Sequence, residues 1–126
     1  MAEETVSRRL AAIVSADVVG YSRLMANDEQ ATLTALKTHR RDTIDPAIAD
    51  NNGRIVKLMG DGMLIEFASV VDAVRASVTI QQAMGRHKDQ AASGQVMEFR
   101  FGINVGEVVL DDGDIFGDGV NVAARL

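Results

Sequence analysis

The sequence contains no cysteine and no tryptophan, and its remaining aromatic residues are four Phe and one Tyr. A chain without cysteine cannot form a disulfide bond, a thiolate zinc site or a cysteine nucleophile. This absence suits a reducing compartment, and we expect a cytoplasmic location. Because aromatic side chains are scarce, the core must consist of Val, Ile, Leu, Ala and Met. A hydrophobic content of 47% is sufficient for one such core.

The sequence also lacks an excess of positive charge and a long hydrophobic run. Its formal net charge of −5 argues against nucleic acid as a partner, since binding a polyanion requires a basic surface. The cluster Lys37, Arg40 and Arg41 lies among acidic residues and indicates a solvated helix face. The N-terminus carries Glu3 and Glu4 instead of the basic segment of a secretory signal. No apolar run approaches the roughly 20 residues of a membrane span, so we predict no membrane contact by this domain.

Hydrophobic periodicity predicts an α+β fold. The first six predicted elements follow the order of a ferredoxin-like βαββαβ unit, an antiparallel sheet with helices packed on one face. The length fits one domain, which we place at residues 10–126 after an N-terminal extension of residues 1–9. We expect this domain to be incomplete, because the sequence ends inside a helical pattern. The predicted elements are strand 10–18, a helix from Asn27 or Asp28 to Asp50 that Pro46 interrupts, strands 54–59 and 63–67, helix 69–87, strand 97–105, strand 108–110 and the first turns of a helix at 120–126.

Glycine marks the predicted turns between these elements. The segment Gly20–Ser22 is predicted to turn the chain after the first strand, and Gly60–Gly62 to form a tight hairpin turn. A further turn is predicted near Gly106, followed by an acidic, glycine-rich loop at 111–119. The helix 69–87 is marked by side chains at helical spacing, namely Val70, Val74, Val78, Gln81 and Met84.

Two aspartates occupy positions from which their carboxylates could converge. Asp17 ends the first strand, and Asp61 lies at the tip of the central hairpin. A ferredoxin-like sheet carries these two ends at the same edge. Paired carboxylates are what a hard divalent cation such as Mg²⁺ requires. Taken singly, each aspartate is more simply explained as a strand-end or turn residue.

Polar residues near the C-terminus suit an anionic ligand. Asn121 and Arg125 are four residues apart and would share one helix face, and arginine keeps its charge while donating in a fork. An exposed helix face or a salt bridge explains the same spacing. Lys57 lies on the strand before the hairpin, where a lysine ordinarily faces solvent. The paired glycines complete neither a Rossmann nor a P-loop motif, and the acids at 111–118 lack calcium-loop spacing.

Three segments together resemble the motifs of class III nucleotidyl cyclases. Residues 15–22 (SADVVGYS) resemble the first metal motif, and residues 57–63 (KLMGDGM) resemble the hairpin with its lysine and glycine–aspartate pair. Residues 114–125 (DIFGDGVNVAAR) are similar to the segment that carries the family's aspartate, asparagine and arginine. The segments occur in family order, and the resemblance covers nearly the whole chain from Leu10.

The resemblance implies a two-metal active site. Asp17 and Asp61, with the backbone carbonyl of Val18, would hold two Mg²⁺ or Mn²⁺ ions. Asn121 would orient the ribose, and Arg125 would stabilise charge on the α-phosphate oxygens. The backbone amides of the turn residues Gly20, Tyr21 and Ser22 would donate hydrogen bonds to the phosphates.

The resemblance also implies a substrate. The Lys57 ammonium can donate to adenine N1, and the Asp114 carboxylate can accept from the N6 amine. Guanine presents the reverse pattern of donors and acceptors, so this pair favours ATP. The implied enzyme is therefore an adenylate cyclase that converts ATP to 3′,5′-cyclic AMP and pyrophosphate.

The implied active site lies between two subunits. This chain holds both half-sets of site residues, which implies a homodimer with two equivalent sites. A triphosphate-binding lysine, the last elements of the domain and any regulatory or effector domains are expected beyond Leu126, so we expect the chain alone to be weak or inactive. The alternatives are a guanylate cyclase, a non-catalytic cyclase-like module that binds nucleotide or dimerises, and a ferredoxin-like regulatory domain for a small molecule.

Overall fold

The computed structural model describes residues 7–90, 97–111 and 114–116 of the 126-residue chain. The predicted helix at 120–126, the predicted loop at 91–95 and the site candidates Asn121 and Arg125 lie outside the described residues. The elements follow in the order β1 (Ser7–Val18), α1 (Tyr21–Asn27), α2 (Glu29–His39), a π-helical segment (Arg40–Ile44), α3 (Asp45–Asp50), β2 (Gly53–Met59), β3 (Gly62–Phe67), α4 (Val70–Gln90), β4 (Phe99–Asp111) and β5 (Asp114–Phe116).

The five described strands form one sheet in the order β2-β3-β1-β4-β5, and every neighbouring pair is antiparallel. The first four strands, with their helical connections, have the order and the connectivity of the predicted ferredoxin-like unit. The α+β prediction is therefore confirmed. Because β1 pairs with β3 on one side and β4 on the other, its C-terminal end lies in the middle of the sheet, where neighbouring strands can bring side chains to it.

The core lies between one face of this sheet and the helices. Alternate residues of β1 contribute to it, and the residue between Ala16 and Val18, Asp17, is left half-exposed on the other face. The buried residues of this face of β1 are Ala12, Val14, Ala16 and Val18, each at most 3% exposed. From β3 and α4 the core includes Met63, Ile65, Phe67, Ala73, Ala76, Ile80 and Met84.

Helix α4 packs on the sheet through a face that the sequence pattern did not single out. Met84, which the pattern included, is 5% exposed, but Val70, Val74 and Val78 are 43%, 43% and 47% exposed. The buried stripe instead contains small residues and one isoleucine, Ile80. Small side chains allow the helix backbone to approach the sheet closely, which explains why this face is the one that packs. Gln81 joins the two layers, since its Nε2 donates to the Phe99 carbonyl at 2.7 Å.

The connection between β1 and β2 is mostly helical, and α2 begins at the expected cap. Asp28 caps α2, since its side chain accepts from the Ala31 amide at 2.9 Å. Pro46 lies in the first turn of α3, where proline is tolerated. The helix predicted to be interrupted at Pro46 changes from α to π geometry just before it, but the backbone stays helical into α3. Thr32 is 1% exposed and its hydroxyl donates to the Leu24 carbonyl at 2.9 Å, which fixes α1 against α2.

Sequence predictions about turns differ from the structure at two places. The turn predicted at 20–22 is present at Val19 and Gly20, but Tyr21 and Ser22 already belong to helix α1. The turn near Gly106 is absent, because β4 is continuous from Phe99 to Asp111 and Gly106 pairs with Ala11 of β1. The predicted strand 108–110 is part of β4, and the predicted loop contains β5, which pairs with β4. In each case pairing or packing with a distant segment overrides the local glycine signal.

Among the residues that the structure describes, no helix combines the length and the apolar character that crossing a membrane requires.

Candidate active site

The ends of β1 and of the β2–β3 hairpin are joined by backbone hydrogen bonds. Asp17 pairs with Gly62 of β3, and the Val18 amide donates to the Asp61 carbonyl at 3.1 Å. On the other side, the Val19 amide donates to the Glu98 carbonyl at 2.8 Å. The chain is therefore held from both sides immediately after Asp17. The backbones of Asp17 and Asp61 come together where the central strands end, and this edge of the sheet, formed by strand ends, is the candidate site.

Two glycines make this approach possible. Gly60 has a φ of 51°, in the left-handed region that glycine adopts without strain. A Cβ at Gly62 would lie 2.9 Å from the Ala16 carbonyl oxygen and 3.4 Å from Asp17 Cβ. The tight hairpin turn that the sequence predicted is confirmed, and its glycines let Asp61 reach the end of β1.

Arg100 is a charged residue of this site that the sequence pattern did not single out. It is the direct partner of Asp17 across β1 and β4, and its Nε and Nη2 donate to Asp17 Oδ1 and Oδ2, each at 3.1 Å. The hydrogen bond to Asp17, its charge and then the charge of Asp61 raise the pKa of Arg100 above its ordinary value. Arg100 thus stays positively charged, and the negative charges of both aspartates favour this charged form. In the sequence, Glu98 and Arg100 alternate with Met97, Phe99 and Phe101, which indicates a polar strand face for Arg100 but does not indicate its partner.

The segment after β1 is shaped by one left-handed residue. Gly20 has φ 65° and ψ 32° and precedes the first turn of α1, and its carbonyl accepts from the Leu24 amide at 3.0 Å. Tyr21 is half-buried and packs against the core, whereas Ser22 is exposed. The segment therefore enters the helix directly after the end of β1, with Gly20 three residues after Asp17 in sequence.

The two residues expected to read the base lie on strands that approach each other. Lys57 is exposed on β2, next to a register shift between Ile55 and Lys57. Asp114 begins β5 and pairs with Asp111. Although β2 and β5 are the two ends of the strand order, the described parts of these strands contact each other. The fold thus brings together the elements that carry Lys57 and Asp114.

The donors available for a metal ion are oxygens. Within the ranges that the structure describes, no group of three or more His, Cys, Asp and Glu side chains could hold a metal. Asp17 and Asp61 contribute one carboxylate each, and backbone carbonyls of the same edge are the other oxygen donors. Hard divalent cations such as Mg²⁺ accept a site of one or two carboxylates completed by water and substrate phosphates. The chemistry of these oxygen donors therefore fits a hard divalent cation such as Mg²⁺ or Mn²⁺ with further ligands completing its coordination.

Comparison with known proteins identifies the family. Residues 5–126 match the family model of the adenylate and guanylate cyclase catalytic domain. The chain belongs to this family. It is 45% identical over its whole length to the putative adenylate cyclase 3 of Rhizobium meliloti, of which it covers 22%. It is 34% identical, over 98% of its length, to an adenylate cyclase of Streptomyces coelicolor, of which it covers 31%. The chain thus spans less than a third of the length of these curated relatives.

A solved structure supports the same assignment at the level of the fold. The crystal structure of an adenylate/guanylate cyclase/hydrolase from Silicibacter pomeroyi has a TM-score of 0.89 and 51% sequence identity with this chain. The match covers 97% of this chain and 71% of that one. The resemblance to class III cyclases stated from the three sequence motifs is therefore confirmed, and the fold is that of a cyclase catalytic domain.

Proposed function

We propose that this chain is part of the catalytic region of an adenylate cyclase, which converts ATP to 3′,5′-cyclic AMP and pyrophosphate. The observation that carries the proposal is the joined end of β1 and the hairpin, where the Val18 amide donates to the Asp61 carbonyl and the Arg100 guanidinium donates to Asp17. The two curated relatives described above bear the name adenylate cyclase, which supports ATP over GTP as the substrate.

Asp17, Asp61 and the Val18 carbonyl are the residues that would hold two Mg²⁺ or Mn²⁺ ions. Asp17 already binds one positive group, the Arg100 guanidinium, so its carboxylate attracts cations, and a metal ion would compete with Arg100 for it. Divalent ions bound there would lower the pKa of the ribose 3′-hydroxyl and offset the charge of the triphosphate.

The remaining residues would position ATP for an in-line displacement. In the reaction, the ribose 3′-oxygen forms a bond to the α-phosphorus, the bond to the pyrophosphate oxygen breaks, and the 3′ proton is lost. Asn121 would orient the ribose and Arg125 would stabilise charge on the α-phosphate oxygens. Such chemistry depends mainly on position and electrostatics. Phosphate contacts are proposed for the backbone amides of Gly20, Tyr21 and Ser22.

Base selection is proposed for Lys57 and Asp114. The exposed Lys57 side chain is available to donate to adenine N1, and Asp114 would accept from the N6 amine. The contact between β2 and β5 supports this pairing, since both residues of one chain then lie near a single base.

A homodimer is proposed as the active form. Three grooves of about 380–410 Å³ in the described part of the chain are lined by residues other than Asp17 and Asp61. Asp17 instead lies on an open edge, with 30% of its side chain exposed. Leu58 and Met59, at the end of β2, are 55% and 37% exposed. An apolar strand end beside an open charged edge favours burial against a second subunit.

Product analysis tests the substrate. The full-length protein, or a form extended beyond Leu126, is incubated with Mn²⁺ and either ATP or GTP, and the cyclic products are separated by chromatography. We expect cyclic AMP in large excess over cyclic GMP. The double change Lys57→Glu and Asp114→Cys should shift the preference toward GTP, while Lys37→Glu, an exposed lysine on α2, should not.

Two results would contradict the proposal in different ways. Cyclic GMP as the main product would replace ATP by GTP as the substrate. A dimer that binds Mn²⁺ and ATP but forms no cyclic product would make the chain a nucleotide-binding module.

A further inference from the structure

Arg100 and Asp17 form a fork at the edge of the candidate site. Both carboxylate oxygens of Asp17 accept from Arg100, at 3.1 Å each. These are the oxygens that a divalent cation would use under the proposed function. A guanidinium and a divalent cation repel each other strongly at contact distance, so the two cannot occupy this edge together without cost.

The position of Arg100 favours its replacement at Asp17 by another cation. Its side chain is 65% exposed and reaches Asp17 from the neighbouring strand β4. When the fork opens, the guanidinium can turn into water, where it is well solvated, and nothing buried is left unpaired.

The pair formed by Arg54 and Glu66, which also joins two strands of this sheet, shows the contrast. Arg54 donates to Glu66 at 2.9 Å, and the Glu66 side chain is only 6% exposed. Opening that pair would take a cation away from a buried carboxylate, which is costly. The Arg54–Glu66 pair is therefore expected to stay closed, whereas the Arg100–Asp17 pair can open at a lower cost.

We propose that Arg100 is a displaceable counter-ion of the metal site, which neutralises Asp17 until a divalent cation replaces it. This proposal rests on the proposed function, because it needs Asp17 and Asp61 to bind the metal. Arg100 acts through Asp17 and is in this sense a positioning residue. Two consequences follow: Arg100 weakens metal binding in the absence of nucleotide, and it prevents the two carboxylates from repelling each other while the metal is absent.

The test measures Mn²⁺ binding without nucleotide, which is independent of turnover. Titration of the full-length protein with Mn²⁺, followed by the electron paramagnetic resonance signal of the free ion, gives the dissociation constant. Arg100→Gln removes the cation and should tighten Mn²⁺ binding by roughly three- to tenfold. Arg100→Lys keeps the charge without the fork and should give an intermediate constant.

Arg41→Gln is the matched control. Arg41 also forms a fork with an aspartate, Asp42, at 2.7 and 3.1 Å, but on the π-helical segment. Its removal changes the net charge by the same amount and should leave the Mn²⁺ dissociation constant unchanged.

The outcomes separate this inference from the proposed function. Equal Mn²⁺ binding by Arg100→Gln and the unaltered protein, or weaker binding by the variant, overturns the counter-ion role and leaves the metal site intact. Absence of Mn²⁺ binding in both, or binding that survives Asp17→Asn, overturns the proposed metal site and the inference with it. If Arg100→Gln does not fold, the Mn²⁺ dissociation constant of Arg100→Lys tests the proposal. Tighter Mn²⁺ binding by Arg100→Lys supports the counter-ion role, and unchanged or weaker binding overturns it, because a purely structural role of Arg100 predicts no tightening.

Discussion

At the scale of single residues, the candidate site depends on glycine as much as on aspartate. The sequence displayed Asp61 between two glycines, and its tight turn could be predicted from that pattern alone. Asp17 could be selected as the acid that ends a buried strand. Arg100 could not be selected, because its partner lies 83 positions away and only the register of β1 and β4 brings the two together. Local patterns carry no information on such a register.

Gly62→Ala should destabilise the fold because its Cβ would lie 2.9 Å from a backbone oxygen that cannot move aside. We expect a loss of roughly 1–3 kcal/mol in the free energy of unfolding, measured by urea denaturation. Gly85→Ala is the matched control on α4, since a Cβ added there would meet no described atom within 4 Å outside its own stretch of helix. That change should raise stability by up to about 1 kcal/mol. Equal stability of the two variants would show that the close approach of the hairpin to β1 is not needed.

At the scale of elements, the existence of α4 was predictable and its packed face was not. Two stripes of α4 have apolar residues at helical spacing, one containing Val74 and Val78 and the other containing Ala76 and Ile80. Hydrophobic spacing alone does not distinguish two such stripes. The choice depends on how closely the helix can approach the sheet, which is a property of the assembled layers.

Ile80 and Val78 provide a direct test of which face of α4 packs. Ile80 is 1% exposed, and Val78 is 47% exposed. Ile80→Ala should lower the free energy of unfolding by about 2–5 kcal/mol through the cavity it creates. Val78→Ala should change it by less than about 0.5 kcal/mol. A larger loss from Val78→Ala than from Ile80→Ala, in thermal or urea unfolding, would reverse the assigned orientation of the helix.

The strands show the same division between local and distant information. β1 and the β2–β3 hairpin are visible in the sequence because short apolar runs are bounded by glycines. The continuous strand β4 was divided at Gly106, where the sequence suggests a turn. Pairing with β1 carries β4 through this glycine, and a further hairpin adds β5.

At the scale of the whole molecule, the order of elements was enough to predict the ferredoxin-like sheet. The exposed end of β2 is the feature that is relevant to association of two copies. Leu58 is 55% exposed there although it is a large apolar side chain. Such exposure is common for single residues, but here it adjoins Met59 and the open edge of the candidate site.

Leu58→Glu should therefore weaken the proposed homodimer. We expect the dissociation constant of the dimer to rise at least about tenfold, because a charge would be placed in an apolar contact. Sedimentation equilibrium of the full-length protein measures it. Val71→Glu, on α4 at 58% exposure, is the control and should leave association unchanged. If Leu58→Glu dimerises as tightly as Val71→Glu, the end of β2 is not at the subunit contact.

The central claim is that the edge formed by Asp17 and Asp61 is the catalytic edge of an adenylate cyclase. The measurement that tests it most directly is cyclic AMP formation from ATP and Mn²⁺ by the full-length protein and its Asp61→Asn variant. Asp50→Asn, at an exposed aspartate that ends α3, is the control of equal charge change. We predict a loss of at least roughly 100-fold in kcat for Asp61→Asn and little change for Asp50→Asn. Equal rates for Asp61→Asn and the unaltered protein would contradict the account.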